Sequence, residues 1–205
     1  DGMFRPIIVT APDDCLVNPQ FPAAVAARSS VGHYLPVVVF GALGQAVPDR
    51  VMAGAGSPLW AMTQTGHRDD GSAYANVLFF NGGMGALPEK DGESCLSWPS
   101  NISSTPVEVA ERNAPLIFHE KSLRPDSGGA GRHRGGAGQN VLMECINERP
   151  IAVMFMAERT RVPAPGFQGG GDGEIGDVQI NGESVNHRTQ HILKKGDKIL
   201  IRTPG

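Results

Sequence analysis

RPDSGGAGRHRGGAGQ, residues 124–139, constrains the fold more than any other stretch of this 205-residue chain. It holds six glycines, three arginines and one histidine, and it lies between two apolar runs that are typical of strands. Glycine is favoured where a backbone must adopt a positive φ or approach another backbone closely. A flexible linker of this length would be rich in glycine and serine and would lack such a cationic cluster. The segment is therefore predicted to be a shaped loop that gathers positive side chains at one place.

Two other interpretations of residues 124–139 stay open at this point. A structural crossover between sheets, with its arginines paired to carboxylates, would use the same residues. A disordered nucleic-acid-binding tail is disfavoured, because such tails are repetitive whereas this segment is single and flanked by strand-like sequence.

The composition describes a globular chain built mainly from strands and loops. A hydrophobic fraction of 40% and a charged fraction of 19% are ordinary, but 27 glycines and 16 prolines do not fit a helical bundle. The net charge of −3 and the aromatic content of 6% favour neither nucleic-acid nor anionic-membrane binding. No apolar stretch approaches the length of a membrane span. Three widely spaced cysteines form no metal or disulfide pattern, so a reducing, cytoplasmic setting is expected.

Helical signals lie near the amino terminus and strand signals follow, which predicts an α+β fold. An alanine-rich run starts a first helix at Ala23, and apolar residues at three- and four-residue spacing predict a second helix over 32–47. The remainder is predicted to be a β-rich core, mixed or antiparallel and dominated by Gly/Pro loops. Strands are predicted over these runs: 4–10, 59–65, 74–80, 115–122, 141–145, 151–157, 178–180, 183–186, 191–193 and 198–203.

Turn residues divide this strand pattern into hairpins and segments. Hairpins are predicted around 66–72, at the Asn181–Gly182 turn and at 194–197. The chain is divided into a helical entry segment (1–50), a main sheet (51–165) and a small β-rich end (166–205). Because it starts without a methionine and stops soon after a strand, it is expected to be part of a longer protein.

Asn81, Gly82 and Gly83 follow a predicted strand at a glycine-rich corner. Exposed backbone amides at such a corner can form an anion-binding nest, although a tight strand-to-loop corner explains the same residues equally well. Neither a P-loop nor a Rossmann fingerprint is completed here, because no Gly-Lys-Ser/Thr sequence and no helical pattern follows.

The segment 98–108 is polar and bracketed by prolines. Asn101 and Glu108 are candidates to orient a polar substrate or a water molecule, with Glu108 as a general base. A plain turn-rich loop is the alternative interpretation of these residues.

Arg159 begins a second run of arginines that leads into a glycine-rich loop. Two such loops at one end of a sheet would form a cationic pocket for a carboxylate or a phosphate. At least three of four loop segments are predicted to converge there: 81–86, 99–108, 124–138 and 159–170. The positive charge of the pocket would come from four arginines: Arg124, Arg132, Arg134 and Arg159. Asp126 and Glu108 are the candidate catalytic carboxylates and the expected partners of these arginines.

No metal site is predicted from the residues. His187 and His191 have the spacing of two ligands on one helical face, but turn residues on both sides favour strands there. No catalytic triad, Cys–His pair or carboxylate dyad is evident from spacing. The residues alone therefore predict an anion-binding α+β domain of undefined chemistry.

In their order along nearly the whole chain, these blocks resemble the carboxyl-terminal portion of the hydantoinase B/oxoprolinase family. The blocks that carry the resemblance are FRPI (4–7), PAAVAAR (22–28), GALGQAVP (41–48), NGGMGA (81–86), DGES (91–94), PSNISSTPVE (99–108), RPDSGGAGRHRGGAG (124–138) and Glu158-Arg159. The family includes the B-type components of ATP-dependent N-methylhydantoinases, the corresponding part of 5-oxoprolinase, and acetone- and acetophenone-type carboxylase subunits.

The resemblance implies a division of labour between two subunits or domains. An A-type partner binds ATP and phosphorylates the amide or ketone oxygen, and the B-type part then hydrolyses or carboxylates the activated intermediate. The family's metal-binding histidine and acidic residues lie in an amino-terminal half that is absent here. This segment is therefore expected to bind no cofactor itself, although ATP and a divalent metal serve the complete complex.

The implied partners are the A-type subunit or domain and the missing amino-terminal half, in an oligomer without nucleic acid or membrane. The segment alone is expected to be inactive. The rival interpretation is a non-catalytic β-rich module whose loops shape a subunit interface.

Overall fold

The computed structural model describes residues 5–57 and 59–205 and shows a β-sandwich with two α-helices. One sheet has the strand order β2-β1-β5-β8: β2 is Ala73–Phe80, β1 is Trp60–His67, β5 is Ile151–Met156 and β8 is His191–Leu193. The other has the order β3-β4-β9-β6-β7: β3 is Leu116–Leu123, β4 is Gln139–Cys145, β9 is Lys198–Arg202, β6 is Asp177–Ile180 and β7 is Glu183–Ser184. Every pairing given for these strands is antiparallel.

Alternating side chains explain why the two sheets pack together. In β1 Trp60 and Met62 are buried, and in β4 Val141, Met143 and Cys145 are fully buried on the inner face. One hydrophobic cluster contains these residues from both sheets. Each such side chain stabilises the fold by about 1.5–3 kcal/mol on burial. The shared cluster is therefore the core of the sandwich.

The helices differ from the prediction of two at the amino terminus. Residues 5–57 contain one α-helix, α1 (Arg28–Leu43), followed by a short 3₁₀ turn at Pro48–Arg50. Residues 23–25 are irregular and residues 26 and 27 form a turn. Pro36 lies inside α1 instead of in its first turn. The second helix, α2 (Val107–Asn113), begins at the end of the predicted loop segment 99–108 and continues where no helix is predicted. Its seven residues are too few to show a helical period, which explains why the pattern misses it.

Helix α1 leaves several of its large apolar side chains exposed. His33 is its one buried residue, whereas Leu35, Val38 and Val39 are about half or more exposed. Phe40 is an exception among its larger side chains, because its ring stacks on Trp98 with centroids 5.5 Å apart. No helix in the described ranges is both long enough and apolar enough to span a bilayer.

Two of the three predicted hairpins are confirmed. Strands β1 and β2 pair along their whole length, from His67 opposite Ala73 beside the turn to Trp60 opposite Phe80. In the β6–β7 hairpin the φ angles of Asn181 and Gly182 are 53° and 86°, as a type I′ turn requires.

The third hairpin prediction is wrong. Strand β8 pairs with β5 in the first sheet, whereas β9 lies between β4 and β6 in the second sheet. The turn at 194–197 thus carries the chain from one sheet to the other. Its local chemistry, with the Lys194 N–H donating to Asp197, is that of any tight turn and does not specify which strands pair.

The strand predicted over 4–10 is not found at residues 5–10, which are turn and irregular, and Phe4 lies outside the described residues.

Candidate functional site

Loops from five parts of the chain meet beside the sandwich, and we call this region the glycine-loop layer: residues 51–57, 81–95, 124–138, 159–176 and 203–205. Backbone hydrogen bonds join its segments directly. The Gly83 N–H donates to the Pro204 carbonyl at 3.0 Å, and the Gly136 N–H donates to the Met84 carbonyl at 2.8 Å. The Gly171 N–H donates to the Ala130 carbonyl at 2.7 Å. A Cβ atom on Gly170 would also lie 3.6 Å from the Ala130 carbonyl oxygen. Three of the four loop segments predicted to converge, 81–86, 124–138 and 159–170, therefore meet in this layer.

The close approach of these backbones explains the glycine-rich sequence. A Cβ atom on Gly83 would overlap the carbonyl of Gly136, and one on Gly136 would overlap the carbonyl of Glu93. Both glycines are buried, so no side chain could turn outward to relieve the overlap. The layer is thus packed from main chain, and glycine is required at these contacts.

A cavity of about 370 Å³, which we call the loop cavity, opens within this layer. Its walls come from residues 51–54, 84–88, 129–135 and 164–173, together with Gly205. Its volume falls within the range of about 300–1,000 Å³ that is usual for small-molecule sites. The ionisable side chains that line it are Asp49, Arg132 and His133.

The structure gives different surroundings to the four arginines predicted to supply positive charge. Arg132 is exposed at the cavity wall and forms no ion pair or hydrogen bond with the described residues. Arg134 lies outside the cavity lining, and its Nη2 is 2.6 Å from Asp126 Oδ1 at the surface. Asp126 thus pairs with an arginine, as expected.

Arg124 and Arg159 use their guanidinium groups to hold main chain. Arg124 Nη1 donates to the carbonyls of Ile175 and Thr203, at 2.7 and 3.1 Å. Arg159 donates from Nε to the Gly56 carbonyl at 3.2 Å and from Nη1 to the Pro163 carbonyl at 2.9 Å. Neither side chain lines the loop cavity. Both arginines thus hold main chain in place. Arg124 also has a carboxylate partner of the kind that the structural alternative names, because its Nη2 lies 3.9 Å from Glu174 Oε2.

The corner at Asn81, Gly82 and Gly83 does not provide the predicted open nest. The Gly82 and Gly83 N–H groups already donate to the carbonyls of Ser57 and Pro204. The Asn81 side chain donates to the carbonyls of Cys95 and Ile102, at 3.3 and 3.2 Å. The corner is buried and holds neighbouring loops together, which agrees with the alternative of a tight strand-to-loop corner.

The predicted residues of the segment 99–108 lie apart from the loop cavity. Asn101 is exposed with a φ of 54°, and its N–H donates to the Ser97 carbonyl. Glu108 is exposed in the first turn of α2, where a carboxylate interacts favourably with the helix dipole. Glu108 forms no ion pair within residues 5–57 and 59–205, so the predicted pairing with an arginine is not found there.

Two acceptor side chains that the sequence analysis did not single out help to shape the 132–137 loop. Asp91 Oδ1 accepts the Arg134 N–H at 2.9 Å and lies 3.5 Å from His133 Nδ1. Ser94 Oγ accepts the Ala137 N–H at 3.0 Å. The DGES block could have suggested this role, since Asp and Ser are frequent acceptors for turn amides.

A second group that sequence reasoning missed joins α1 to the layer. Burial raises the pKa of the Glu158 carboxyl, and hydrogen bonds from Tyr34 and Ser30 partly offset this rise. Burial, together with the charge of Glu158, also raises the pKa of the Tyr34 phenol. The Arg159 guanidinium lies 5.2 Å from the centroid of the Tyr34 ring.

The described residues do not fit a divalent metal centre, because they contain no group of three or more His, Cys, Asp or Glu side chains placed to hold an ion. His187 and His191 have the spacing of a ligand pair on a helix, but His187 lies in a turn and His191 is the first residue of β8. No step of the proposed chemistry is therefore assigned to a metal in this part of the chain.

Comparison with known proteins gives a consistent family. The family model described as Hydantoinase B/oxoprolinase matches residues 1–205. An uncharacterized protein of Methanocaldococcus jannaschii is 30% identical over 100% of this chain and 36% of its own length. The putative B-type subunit of a D-/L-hydantoinase from a Pseudomonas species is 29% identical over 92% of this chain and 31% of its own length. The chain thus spans about a third of these relatives.

A solved structure supports the fold independently. The crystal structure of an ATP-dependent caprolactamase from Pseudomonas jessenii superimposes with a TM-score of 0.86 at 24% identity. The match covers 100% of this chain and 38% of that one. At this level of identity the likeness concerns the fold.

Proposed function

This chain belongs to the hydantoinase B/oxoprolinase family, and we propose that it forms part of the B-type subunit of an ATP-dependent cyclic amide hydrolase. The substrate would be of the hydantoin or 5-oxoproline type. The chain would contribute the surface that receives the activated intermediate. The A-type subunit or domain and the remaining B-type sequence would be its partners, and the chain by itself would be inactive.

The observation that carries this proposal is the position of Arg132 at the wall of the loop cavity, where it has no ion-pair or hydrogen-bond partner among residues 5–57 and 59–205. An arginine without a carboxylate partner retains its capacity to bind an anion, and a guanidinium matches the geometry of carboxylate and phosphate oxygens. An intermediate that carries a phosphoryl or carboxylate group has the complementary charge. Arg124 and Arg159 lack this freedom, because main-chain carbonyls occupy them.

ATP and a divalent metal would serve the complete complex from outside the described residues. ATP, bound by the A-type partner, would supply the activation of the amide oxygen. This chain would bind and orient the product of that activation through Arg132 and the glycine-rich walls.

The experiment pairs the full-length B-type protein with its A-type partner and offers 5-oxoproline, hydantoin and caprolactam in turn. We expect ring opening of at least one of them, dependent on ATP and on both proteins. Ring opening of none, or ATP-dependent carboxylation of a ketone alone, would contradict the hydrolase assignment.

A second function, a non-catalytic assembly module, has one observation in its favour. The exposed apolar side chains of α1, among them Leu35, Val38 and Val39, form a surface suited to a protein contact. If Val38→Glu dissociated the complex while Arg132→Ala left turnover unchanged, the module would be the better description.

A further inference from the structure

The main chain at Glu158 and Arg159 is fixed from both sides of the layer. The Trp60 indole donates to the Glu158 carbonyl at 3.0 Å, and the Gly176 N–H donates to the Arg159 carbonyl at 2.9 Å. Arg159 has a φ of 55°, a conformation that non-glycine residues adopt only where their surroundings impose it. The residue is therefore held in one place, three residues after the end of β5.

The Arg159 side chain bridges the two chain segments that carry two walls of the loop cavity. Its two acceptors, the carbonyls of Gly56 and Pro163, belong to the segments 51–57 and 163–166. Gly54 from the first segment and Pro165 from the second both line the cavity, and the Gly54 N–H donates to the Pro165 carbonyl at 3.2 Å. The guanidinium thus reinforces the junction at which these two walls meet.

Helix α1 holds the guanidinium in that position. The Tyr34 ring lies against it, with 5.2 Å from the ring centroid to Arg159 Cζ. Tyr34 and Ser30 also interact with the neighbouring Glu158 carboxyl. A rearrangement of α1 would consequently reach the cavity through Arg159.

We infer that Arg159 is a positioning residue that sets the separation of the 51–57 and 163–166 walls for the reaction, and that it does not bind the anion itself. This inference rests on the proposed function of the loop cavity. The two arginines thus have different roles. Arg132 offers its charge to an anion, and Arg159 holds the 51–57 and 163–166 segments at a fixed separation.

Lysine is the informative replacement. It keeps the positive charge, but a single ammonium lacks the planar fork that reaches two carbonyls while stacking on a ring. If Arg159 acts by fixing the two segments, Arg159→Lys should show the hydrogen exchange and kinetics of Arg159→Ala. If it acts only through its charge, Arg159→Lys should show those of the wild type.

The first measurement is hydrogen exchange in the full-length protein, which needs no activity. Faster exchange is expected in segments 51–57 and 163–166 of Arg159→Lys, with unchanged exchange in β4. Arg161→Lys, at an exposed position of the same loop, serves as the control and should match the wild type. Unchanged wall exchange in Arg159→Lys would overturn the inference, whatever the complex catalyses.

The second measurement is steady-state kinetics of the complex with its A-type partner, normalised to folded protein. Because misplacing groups by about 1 Å can cost up to about 100-fold in rate, Arg159→Lys and Arg159→Ala should both lower kcat by about 10- to 100-fold at nearly constant KM. A raised KM at wild-type kcat would show substrate binding by Arg159, and wild-type kinetics in Arg159→Lys would show a charge-only role. Either result overturns the inference. Loss of wall protection together with an inactive wild-type complex would instead reject only the proposed function.

Discussion

The sandwich buries side chains, whereas the glycine-loop layer buries main chain. Substitutions are therefore expected to destabilise the two regions by different mechanisms. In the sandwich, Met143 and Ile199 face each other across paired strands in an apolar core. In the loop layer, Gly83 packs directly against the Gly136 carbonyl, and Gly136 packs against the Glu93 carbonyl. A core position tolerates other hydrophobic side chains of similar volume. The glycine contacts tolerate no added carbon without movement of the backbone.

The largest effect is expected in the sandwich, from Met143→Ala. The Met143 side chain is fully buried, so its removal should lower the free energy of unfolding by about 2–5 kcal/mol. Chemical denaturation of the full-length protein would measure the loss. A change below about 1 kcal/mol would mean that the sandwich core repacks freely and would weaken the contrast with the loop layer.

The next effect distinguishes the loop layer from the sandwich. Gly136→Ala forces a carbon against the Glu93 carbonyl and should cost about 1–3 kcal/mol of stability. Gly171→Ala is the matched control, because its Cβ would lie 3.5 Å from the Ala130 carbonyl, an ordinary contact. We expect the control to change stability by less than about 0.5 kcal/mol. Equal losses in the two variants would show that close packing is not what selects glycine here.

The same contrast explains what can be predicted from the sequence. The nine strands that the structure shows among residues 5–57 and 59–205 are located to within a few residues, because alternation and turn residues are local signals, as at Asn181–Gly182. The pairing of β8 with β5 is not predictable, since sheet membership depends on long-range contacts that a local turn does not encode. Helix α2 is not predicted, because seven residues are too few to show the 3.6-residue period of a helix.

The candidate site is predictable in outline but not in its details. Clustered glycines correctly indicate that the loops 81–86, 124–138 and 159–170 are shaped and meet. The sequence does not show which arginine remains available to bind an anion, because this depends on the carbonyls that surround each guanidinium in the folded chain. Arg124 and Arg132 look alike in sequence, yet Arg124 holds two carbonyls while Arg132 lies at the cavity wall.

A smaller effect concerns the contact between α1 and the loop layer. Because burial raises the pKa of Glu158, the folded state binds this proton more tightly than the unfolded state does. The stabilisation is complete below the ordinary value of 4.5 and is lost as the pH rises through the raised pKa of the folded state. Glu158→Gln should therefore show a weaker decline of stability with rising pH than the wild type.

Thermal unfolding followed across this pH window would measure the difference. Tyr34→Phe removes a hydrogen bond that lowers the pKa of Glu158, so its stability should decline up to a higher pH than that of the wild type. Parallel pH profiles for all three proteins would contradict the account of Glu158.

The smallest effect is expected at the surface pair of Asp126 and Arg134, whose side chains are 89% and 51% exposed. Water and salt screen such a pair, so Asp126→Asn should cost at most about 1 kcal/mol of stability. A larger loss, measured by denaturation at physiological salt, would place this pair among the contacts that hold the loop layer together.

The proposed role of Arg132, which is to bind an anion at the loop layer through its charge, is tested most directly by a comparison of Arg132→Gln with Arg134→Gln. Turnover and assembly would be measured in the full-length complex with its A-type partner. A hydrogen bond to a charged group is worth about 1.5–3 kcal/mol, so Arg132→Gln should lower kcat/KM by about 10- to 100-fold while the complex stays assembled. Arg134→Gln, which loses only a surface ion pair, should stay close to the wild type. Undiminished turnover in Arg132→Gln, or an equal loss in both variants, would contradict the account.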